Sequence, residues 1–304
     1  MDFKHMVPPD YAAYKPYFKK QRYTLCGYAL SSIIAWSNEE YQPFGMVRDG
    51  ALIVAAEFST ERQHRHLILP ISPQREYEPR ELFELAGELG YDTYWFVPEA
   101  YIQRHGSEKL ERYFDIQAHD SYSDYVFETK ALASLKGNKY SKKRNLINQF
   151  EREFVAGGRV RVEPMGPGLV RESLEFLEAW CEERDGCDGA VDSDLACEKR
   201  AAINSIENLN QMELKGLVVR LDGKVSAFGV SAALTEEMAT LQYEKAFTGV
   251  KGLYQYLDRE CARRLFDGFT YINKESDMGI PGIAKSKRSY YPVKMVPAYK
   301  LVVK

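Results

Sequence analysis

The chain has 304 residues, of which 45% are hydrophobic and 28% are charged, and its formal net charge is −3. This is the composition of a globular protein, and the negative net charge excludes a protein that binds nucleic acid through its overall charge, so a polyanion would need a local patch. No run approaches the roughly 20 apolar residues of a membrane-spanning helix, and the first residues lack the apolar core of a signal peptide. The five cysteines form no Cys-x-x-Cys pair. We therefore expect a cytoplasmic protein with reduced cysteines, without an integral membrane segment and without a metal site.

The first half of the chain predicts strands on either side of one helix. "YQPFGMVRDGALIVAAEF" is a hairpin around Asp49-Gly50, because both turn positions favour positive φ. "RHLILPI" is a further strand, a helix follows over about residues 79–89, and "YDTYWFV" is the strand after it. His64 and His66 have a spacing that could bind a metal, but no acidic or cysteine cluster accompanies them, so the start of an exposed strand is the favoured interpretation.

The middle of the chain predicts helices. Apolar residues recur at helical spacing in "SKKRNLINQFEREF", "VRESLEFLEAWCEE" and "EKRAAINSIENL". The acidic segment "CEERDGCDGAVDSDLACEK" lacks the spacing of an EF-hand, and we expect a solvated loop. Lys142, Lys143 and Arg144 stand at the start of the first of these helices, where cations oppose the helix dipole. Their position favours a contact with phosphate, with a solvated surface as the alternative.

The second half repeats the order of the first. "LKGLVVRLDGKVSAFGVSA" is a hairpin around Asp222-Gly223, "MATLQYEKA" is the next strand, a helix covers about residues 252–266, and "FTYINKE" is the strand after it. Antiparallel strands followed by a crossover helix and a parallel strand are the order of the GNAT acyltransferase core. We therefore predict an α/β (α+β) fold of two tandem GNAT-like domains, with mixed sheets flanked by helices. Residues 1–125 would be the N-terminal domain, expected to be degenerate because no glycine turn precedes its helix, and residues 126–304 the domain that carries the active site.

Strand alternation in "TLQYEKA" predicts which side chains share a face. Leu241 and Tyr243 would lie on one face of the strand, and Thr240, Gln242 and Glu244 on the other. Glu244 would then point away from the apolar pair.

A glycine turn at Gly249 and Gly252 precedes the second-half helix. Backbone N–H groups at such a turn bind anions, and GNAT enzymes bind the acyl-CoA pyrophosphate there through a Gln/Arg-x-x-Gly-x-Gly/Ala loop. Here Gly249 and Tyr254 depart from the first and last positions of that loop. A plain turn between strand and helix is the alternative.

The segment "YINKESDMGIPGIAKSKRSYYP" follows the last crossover strand. Asn273 and Glu275 would share one face of the strand, and the glycine-rich turn after Asp277 would let Lys287 fold back over it. We interpret this segment as the floor and lid of a site. The alternative is a charged loop whose surface ion pairs contribute little.

Three motifs resemble the phosphatidylglycerol lysyltransferase C-terminal domain family, whose members have tandem GNAT-like folds related to the Fem aminoacyltransferases. The motifs are "LKGNKYSKKRNLINQF", "YEKAFTGVKGLYQYLDRE" and "NKESDMGIPGIAKSKRSYYP". The residues that fit the third motif are Asn273, Glu275, Asp277, Gly279, Gly282, Lys287, Tyr290 and Pro292. One position departs, because Ala284 stands where the family has an arginine. The donor or the acceptor of this protein could differ accordingly.

The resemblance implies transfer of an aminoacyl group from charged tRNA to an amine or hydroxyl acceptor, either a lipid head group or a small molecule or peptide, with no cofactor required. Such transfer needs a group that takes the acceptor's proton and stabilisation of the oxyanion. We expect Glu244 or Glu275 to orient or deprotonate the acceptor, and Lys287 to offset the negative charge. The expected substrate-binding residues are Tyr243, Asn273, Asp277, Tyr290, Lys142, Lys143, Arg144 and Gly252. Two alternatives stay open: an N-acetyltransferase that uses acyl-CoA, and a non-catalytic module that binds tRNA or another anionic ligand.

Overall fold

The computed structural model of the chain describes residues 2–60, 62–183 and 193–304. Residues 184–192 of the acidic segment that was expected to form a solvated loop lie outside the described residues, and its described end, residues 193–199, is helical rather than a loop. Of the described cysteines, Cys26, Cys197 and Cys261 are free thiols. Cys181 is disulfide-bonded, contrary to the expectation of a fully reduced chain.

The described residues form the following strands and helices. The strands are β1 (Lys4–His5), β2 (Tyr41–Arg48), β3 (Ala51–Phe58), β4 (His66–Leu67), β5 (Thr93–Pro98), β6 (Phe114–Ala118), β7 (Asp124–Glu128), β8 (Val160–Met165), β9 (Lys215–Leu221), β10 (Lys224–Ala233), β11 (Met238–Ala246), β12 (Tyr271–Asn273), β13 (Lys294–Val296) and β14 (Ala298–Val303). The helices are α1 (Tyr11–Tyr14), α2 (Leu30–Ala35), α3 (Pro79–Leu89), α4 (Glu99–His105), α5 (Ser107–Leu110), α6 (Thr129–Ser134), α7 (Ser141–Phe150), α8 (Val170–Glu182), α9 (Ser193–Glu207), α10 (Leu253–Arg264) and α11 (Pro281–Arg288).

The two Asp-Gly hairpins form as the sequence predicts. In the turn between β2 and β3, Asp49 and Gly50 have φ angles of 50° and 72°. In the turn between β9 and β10, Asp222 and Gly223 have φ angles of 49° and 81°. Positive φ at both central positions matches the twist of the paired strands, which explains the tight connections.

Both halves have the predicted strand and helix order. In the first half β4 and β5 run parallel and α3 lies between them in the chain, with Leu67 opposite Tyr94. In the second half β11 and β12 run parallel and α10 connects them, with Thr240 opposite Asn273 at the last pair. The fold is therefore mixed α/β, with two seven-stranded mixed sheets flanked by helices and a GNAT-like order in each half. The predicted fold class is confirmed.

The first sheet takes a strand from the second half of the chain, and one strand of the second sheet spans the predicted domain boundary. The first sheet has the order β1-β2-β3-β4-β5-β14-β6, so the last strand of the chain inserts between β5 and β6. The second sheet has the order β13-β7-β12-β11-β10-β9-β8, and β7 crosses the predicted boundary between residues 125 and 126. The domain boundary at residue 125 therefore stays a prediction, because strand pairing continues across it in both sheets.

A bulge in the second sheet overturns the predicted alternation along β11. The register between β10 and β11 shifts between Val230 and Ser231, so that Ser231 lies opposite Leu241 and Val230 opposite Tyr243. Leu241 packs into the core beneath α7 and α10, whereas Tyr243 packs into the core shared by α8, α9 and the first half. The prediction that these two residues share a face was wrong, because an extra residue in a strand reverses every side chain beyond it. Glu244 faces α10 as a result.

Candidate active site at the divergence of two parallel strands

The candidate site lies where β11 and β12 separate. Their pairing ends at Thr240 and Asn273, and the chains diverge beyond that point. Glu244 stands further along β11, and Lys274 and Glu275 follow the end of β12 directly. Two strands that diverge leave backbone and side chains facing a gap, which is the usual place for a ligand in such a sheet.

On the α10 side of the gap, one ammonium lies between two carboxylates. Lys274 Nζ is 2.9 Å from Glu244 Oε2 and 2.8 Å from Asp258 Oδ1, and all three side chains are at most 15% exposed. Burial, reinforced by the Asp258 charge, raises the pKa of Glu244 to about 7. Burial alone would lower the pKa of Lys274, but the two carboxylates outweigh it and the net shift is upward. The cluster therefore keeps a charged lysine in the interior and one carboxyl that titrates near neutral pH.

Tyr290 and Lys143 complete this side of the gap. Lys143 Nζ lies 3.9 Å from the centroid of the Tyr290 ring, and Lys274 Nζ lies 5.3 Å from it. Burial, with the nearby charges of Asp258 and Glu244, raises the pKa of the Tyr290 hydroxyl well above its ordinary value. Burial lowers the pKa of Lys143. The structure thus brings two predicted binding residues, Tyr290 and Lys143, to the predicted catalytic Glu244.

Glu275 occupies a different side of the gap. Its φ of 57° is in the left-handed region, where a non-glycine residue is strained, and its amide donates to Asn273 Oδ1 at 2.7 Å. The carboxylate makes no hydrogen bond or ion pair within the described residues. Burial raises its pKa to about 8, with Lys287 opposing the shift and the Asp124 carboxylate adding to it. A half-buried carboxyl without a partner and with such a pKa suits proton transfer near neutral pH.

Lys287 folds back from α11 over the loop after β12, as the sequence predicted. Its ammonium donates to the carbonyl oxygens of Lys274, Glu275 and Ser276 at 2.5, 3.2 and 2.6 Å. These three bonds use all three N–H groups of the ammonium. Lys287 therefore fixes the backbone that carries Glu275.

The first half of the chain supplies part of the site. Asn273 Nδ2 donates to Asp124 Oδ2 at 2.8 Å and to the carbonyl oxygen of Thr24 at 2.9 Å. The backbone amide of Cys26 donates to the same Asp124 carboxylate at 2.6 Å. Burial raises the pKa of Asp124, and burial together with Asp124 raises the pKa of the Cys26 thiol. Asn273 thus ties β12 to the first half and holds Glu275 in its left-handed conformation.

Tyr243 faces the first half and α9 rather than the α10 cluster, and the residue is 2% exposed. Its neighbour Lys245 pairs with Glu198 at 2.7 Å and lies 4.3 Å from the centroid of the Trp180 ring. Burial raises the pKa of the Tyr243 hydroxyl, and the charge of Glu275 adds to that shift. Tyr243 therefore belongs to the Glu275 side of the gap.

Three other predicted residues do not contact the gap: one is exposed to solvent, and two form hydrogen bonds within nearby loops. Arg144 donates to the carbonyl oxygens of Leu135 and Gly137, where α6 ends. Lys142 is exposed. Asp277 accepts from the hydroxyl of Tyr125 at 2.5 Å and from the Gly279 amide at 2.9 Å, and so shapes the turn before α11. Of the three cations at the start of α7, Lys143 is the one that reaches the site.

The glycine turn before α10 is already filled by protein groups. Gly252 has a φ of 85°, and a Cβ placed on it would lie 2.3 Å from the carbonyl oxygen of Leu146. The amides of Thr248 and Gly249 both donate to the carboxylate of Glu183 at 3.1 Å. Backbone N–H groups of this turn are therefore occupied by a carboxylate, where an acyl-CoA pyrophosphate would need them.

Sequence reasoning missed several residues of the site. Lys274 and Asp258 lie at its centre, and Asp124 and Cys26 come from the first half. Lys274 stands in the third motif beside Asn273 and Glu275, so its charge at a strand end was a usable signal. Asp258 was also detectable, because it lies on the helix face beside the apolar stripe of α10. Asp124 and Cys26 gave no local signal, because they reach the site only through the packing of the two halves.

Comparisons with known proteins find a matching family model and similar solved structures. The family model described as phosphatidylglycerol lysyltransferase, C-terminal, matches residues 26–302. A conserved protein of unknown function from Bacteroides thetaiotaomicron has a crystal structure with a TM-score of 0.88 and 25% identity, covering 100% of both chains. The C-terminal domain of a protein named as a lysylphosphatidylglycerol synthetase from Agrobacterium fabrum has a TM-score of 0.66 and 14% identity, covering 96% of this chain and 91% of its own.

An uncharacterized protein of Mycoplasmoides gallisepticum is 26% identical over 200 residues. The match covers 64% of this chain and 61% of that protein, so the chain spans about three fifths of the length of this relative. In the described ranges, none of the helices has both the length and the apolar character needed to cross a bilayer.

Proposed function

Because the chain belongs to the phosphatidylglycerol lysyltransferase C-terminal family, we propose that it transfers an aminoacyl group from charged tRNA to an amine or hydroxyl acceptor. Family and fold support the coarser statement, an acyltransferase. The acceptor would be a lipid head group, a small molecule or a peptide. The observation that carries the proposal is the carboxylate of Glu275 at the divergence of β11 and β12, which is unpartnered among the described residues.

Glu275 is the proposed general base. The acceptor's N–H or O–H gives its proton to the carboxylate as its N or O forms a bond to the acyl carbon. The bond from that carbon to the ribose oxygen of the tRNA then breaks, and the ribose oxygen takes the proton back from Glu275. A base with a pKa of about 8 is well matched to this exchange at neutral to mildly alkaline pH.

Lys287 and Asn273 are proposed positioning residues. Lys287 holds the three carbonyl groups of residues 274–276, and Asn273 holds the Glu275 amide. Together they keep Glu275 in a conformation that is costly on its own. Because its three N–H groups are engaged, Lys287 would offset the negative charge on the oxygen of the intermediate through its charge alone, without a direct hydrogen bond.

Lys143 is the proposed contact for a donor phosphate. Its ammonium faces the Tyr290 ring and makes no hydrogen bond or ion pair within the described residues. The Lys274, Glu244 and Asp258 cluster behind it is internally paired and supplies a rigid wall. A partly desolvated cation at the mouth of a rigid cleft attracts a phosphate more strongly than an exposed one.

The direct test is label transfer. The protein is incubated with a mixture of labelled aminoacyl-tRNAs and a cell extract, and label is followed from tRNA into lipid, peptide and small-molecule fractions. Glu275→Gln should reduce the rate at least about 100-fold, the scale of general-base catalysis. Glu175→Gln is the matched control, because that exposed carboxylate on α8 pairs with Arg171, at 3.6 Å, on the same helix. Binding of the donor without movement of label would contradict the enzyme and favour the non-catalytic module.

The pH dependence of the reaction rate is a second test of Glu275 as the general base. If Glu275 is the base, kcat/KM should rise with pH, reach half its maximum near pH 8 and level off above about pH 9, because the carboxylate must be ionised to act. A rate that is flat between about pH 6 and pH 9 would remove Glu275 from the reaction.

Acyl-CoA as the donor is disfavoured by the Glu183 carboxylate on the amides of Thr248 and Gly249. A ligand that binds the folded state raises the melting temperature in proportion to the logarithm of its concentration. Coenzyme A at about 1 mM, roughly the upper end of ordinary KM values, should therefore leave the melting temperature within about 1 °C. A rise of several degrees would favour the N-acetyltransferase instead.

A further inference from the structure

The first half repeats the backbone conformation of the candidate site at the equivalent position. The last paired residue of β12 is Asn273, and Glu275 two residues later has a φ of 57°. The paired residue of β5 is Tyr94, and Phe96 two residues later has a φ of 55°. Phe96 thus repeats the backbone of Glu275 in the other half. A bulky residue in the left-handed region is a strained conformation that recurs at ligand sites.

Aromatic rings surround Phe96 in the first half, where charged groups surround Glu275 in the second. Trp95 stacks on His66 with ring centroids 4.2 Å apart and planes within 6°. Tyr122 lies 4.2 Å from His119 and 5.5 Å from Phe96, between centroids. These five residues are called the aromatic cluster below.

Two imidazole nitrogens in the aromatic cluster have no partner among the described residues. His66 is 1% exposed, and its Nδ1 lies 2.7 Å from the carbonyl oxygen of His64, which can only accept. Nδ1 therefore carries the proton. Burial lowers the pKa of His66 to about 3, so Nε2 is an unprotonated acceptor, and it has no hydrogen bond. His119 Nδ1 is also buried without a partner. Buried polar groups are normally hydrogen-bonded, so two unpartnered nitrogens in one cluster favour a ligand at this position.

Lys300 from β14 provides a cation at the edge of the aromatic cluster. Its Nζ lies 3.9 Å from the centroid of Trp95. His66 already occupies one face of that ring, so Lys300 covers the other. Lys300 is half-buried, and it would have to move outward for another group to stack on Trp95.

The aromatic cluster adjoins the candidate site. A Cβ placed on Gly27 would lie 3.3 Å from Cγ of Phe96. The preceding residue, Cys26, donates to Asp124, and Asp124 accepts from Asn273. Only these few contacts separate the rings from the loop that carries Glu275.

We propose that the aromatic cluster stacks a nucleobase of the donor's 3′ end, while its phosphate pairs with Lys300 and its aminoacyl ester lies at Glu275. This inference rests on the proposed function. Nucleobases present a planar ring with N–H donors, which suits aromatic planes that carry unpartnered acceptors. The first half then recognises the base of the donor's 3′ end, beside the phosphate contact proposed for Lys143, and is not an inactive copy.

Fluorescence anisotropy with a 5′-labelled CCA trinucleotide tests the proposal without any ester or turnover. Trp95→Leu should weaken binding about 5- to 150-fold, the range for loss of one stacked base. Trp95→Phe keeps an aromatic plane and should stay within about threefold of the wild type. Trp36→Phe, outside the aromatic cluster, should bind as the wild type does. Melting temperatures of all variants identify any loss of folding.

Each outcome separates the inference from the proposed function. Binding of CCA that Trp95→Leu removes supports the inference, even if no label is transferred and the proposed function fails. Absence of CCA binding to the wild type overturns it, as does equal binding by Trp95→Leu. Binding of ribose 5-phosphate as tightly as CCA also overturns it, because that result describes a phosphate site without base recognition.

Discussion

Glu275 combines a proposed catalytic role with a cost to stability. Burial raises its pKa to about 8, against about 4.3 in an unfolded chain. The folded protein therefore holds a proton that the unfolded chain releases between these two values. The contribution of the protonated Glu275 side chain to the free energy of unfolding is fully present below about pH 4.3 and is lost as the pH rises toward 8.

Glu275→Gln should consequently raise the melting temperature at about pH 8, since glutamine never needs to be charged. About 1 kcal/mol corresponds to about 2–4 °C in chains of roughly 150–250 residues, and we expect a gain of at least that size. At about pH 4.5 the variant and the wild type should melt together. Differential scanning calorimetry at both pH values measures the difference. An equal shift at both pH values would mean that ionisation of Glu275 is not its cause.

At the level of single residues, the sequence predicted the acidic and basic groups better than their roles. Glu244, Glu275, Lys143 and Tyr290 do converge on one gap. The sequence could not show that Lys287 donates its N–H groups to backbone carbonyl oxygens, because those bonds depend on the path of the loop after β12. It also could not place Asp124, since contacts between distant segments leave no periodic pattern.

At the level of elements, the turn before α10 depends on Gly252. Its φ is 85°, and a Cβ at this position would lie 2.3 Å from the Leu146 carbonyl oxygen, which leaves no room for a side chain. This close approach packs the start of α10 against α7, which carries Lys143. The glycine is thus explained by packing of two helices, with anion binding at the turn taken over by Glu183.

Gly252→Ala should destabilise the protein by about 2–5 kcal/mol, the combined scale of a strained backbone and an overpacked contact. Gly249→Ala is a matched control in the same turn, where φ is not positive and a Cβ would meet Glu183 Oε1 at 3.5 Å, an ordinary contact. Urea unfolding monitored by circular dichroism compares the two variants. Equal midpoints would show that the Leu146 carbonyl moves aside at little cost.

The elements themselves were largely predictable. Asp-Gly turns and apolar periodicity indicated both hairpins and both crossover helices, because these signals are local. The bulge opposite Val230 and Ser231 was not predictable, since "TLQYEKA" alternates without a break in composition. That single extra residue decides that Tyr243 faces α9 and Glu244 faces α10.

At the level of the whole molecule, the last strand of the chain joins the two halves. β14 pairs with both β5 and β6, and Leu301 on it is fully buried. Side chains also cross between the halves: Gln242 donates to Ser31, and Asn204 donates to the carbonyl oxygen of Ala35. The order of elements along the chain suggested two consecutive domains. Long-range pairing of the C-terminal strand was not readable from that order, because strand partners are not encoded locally.

These connections predict that the two halves unfold together. Removal of residues 298–304 takes away β14 and leaves β5 and β6 without a shared partner, so the first sheet loses its continuity. The first half also supplies Thr24, Cys26 and Asp124 to the loop of Glu275. The truncated chain should therefore lose near-UV circular dichroism from both halves in one step, at a lower temperature than the full chain. The full chain should show one calorimetric transition whose enthalpy equals the van't Hoff enthalpy. Two separate transitions, of which truncation moves only one, would instead support independent domains divided near residue 125.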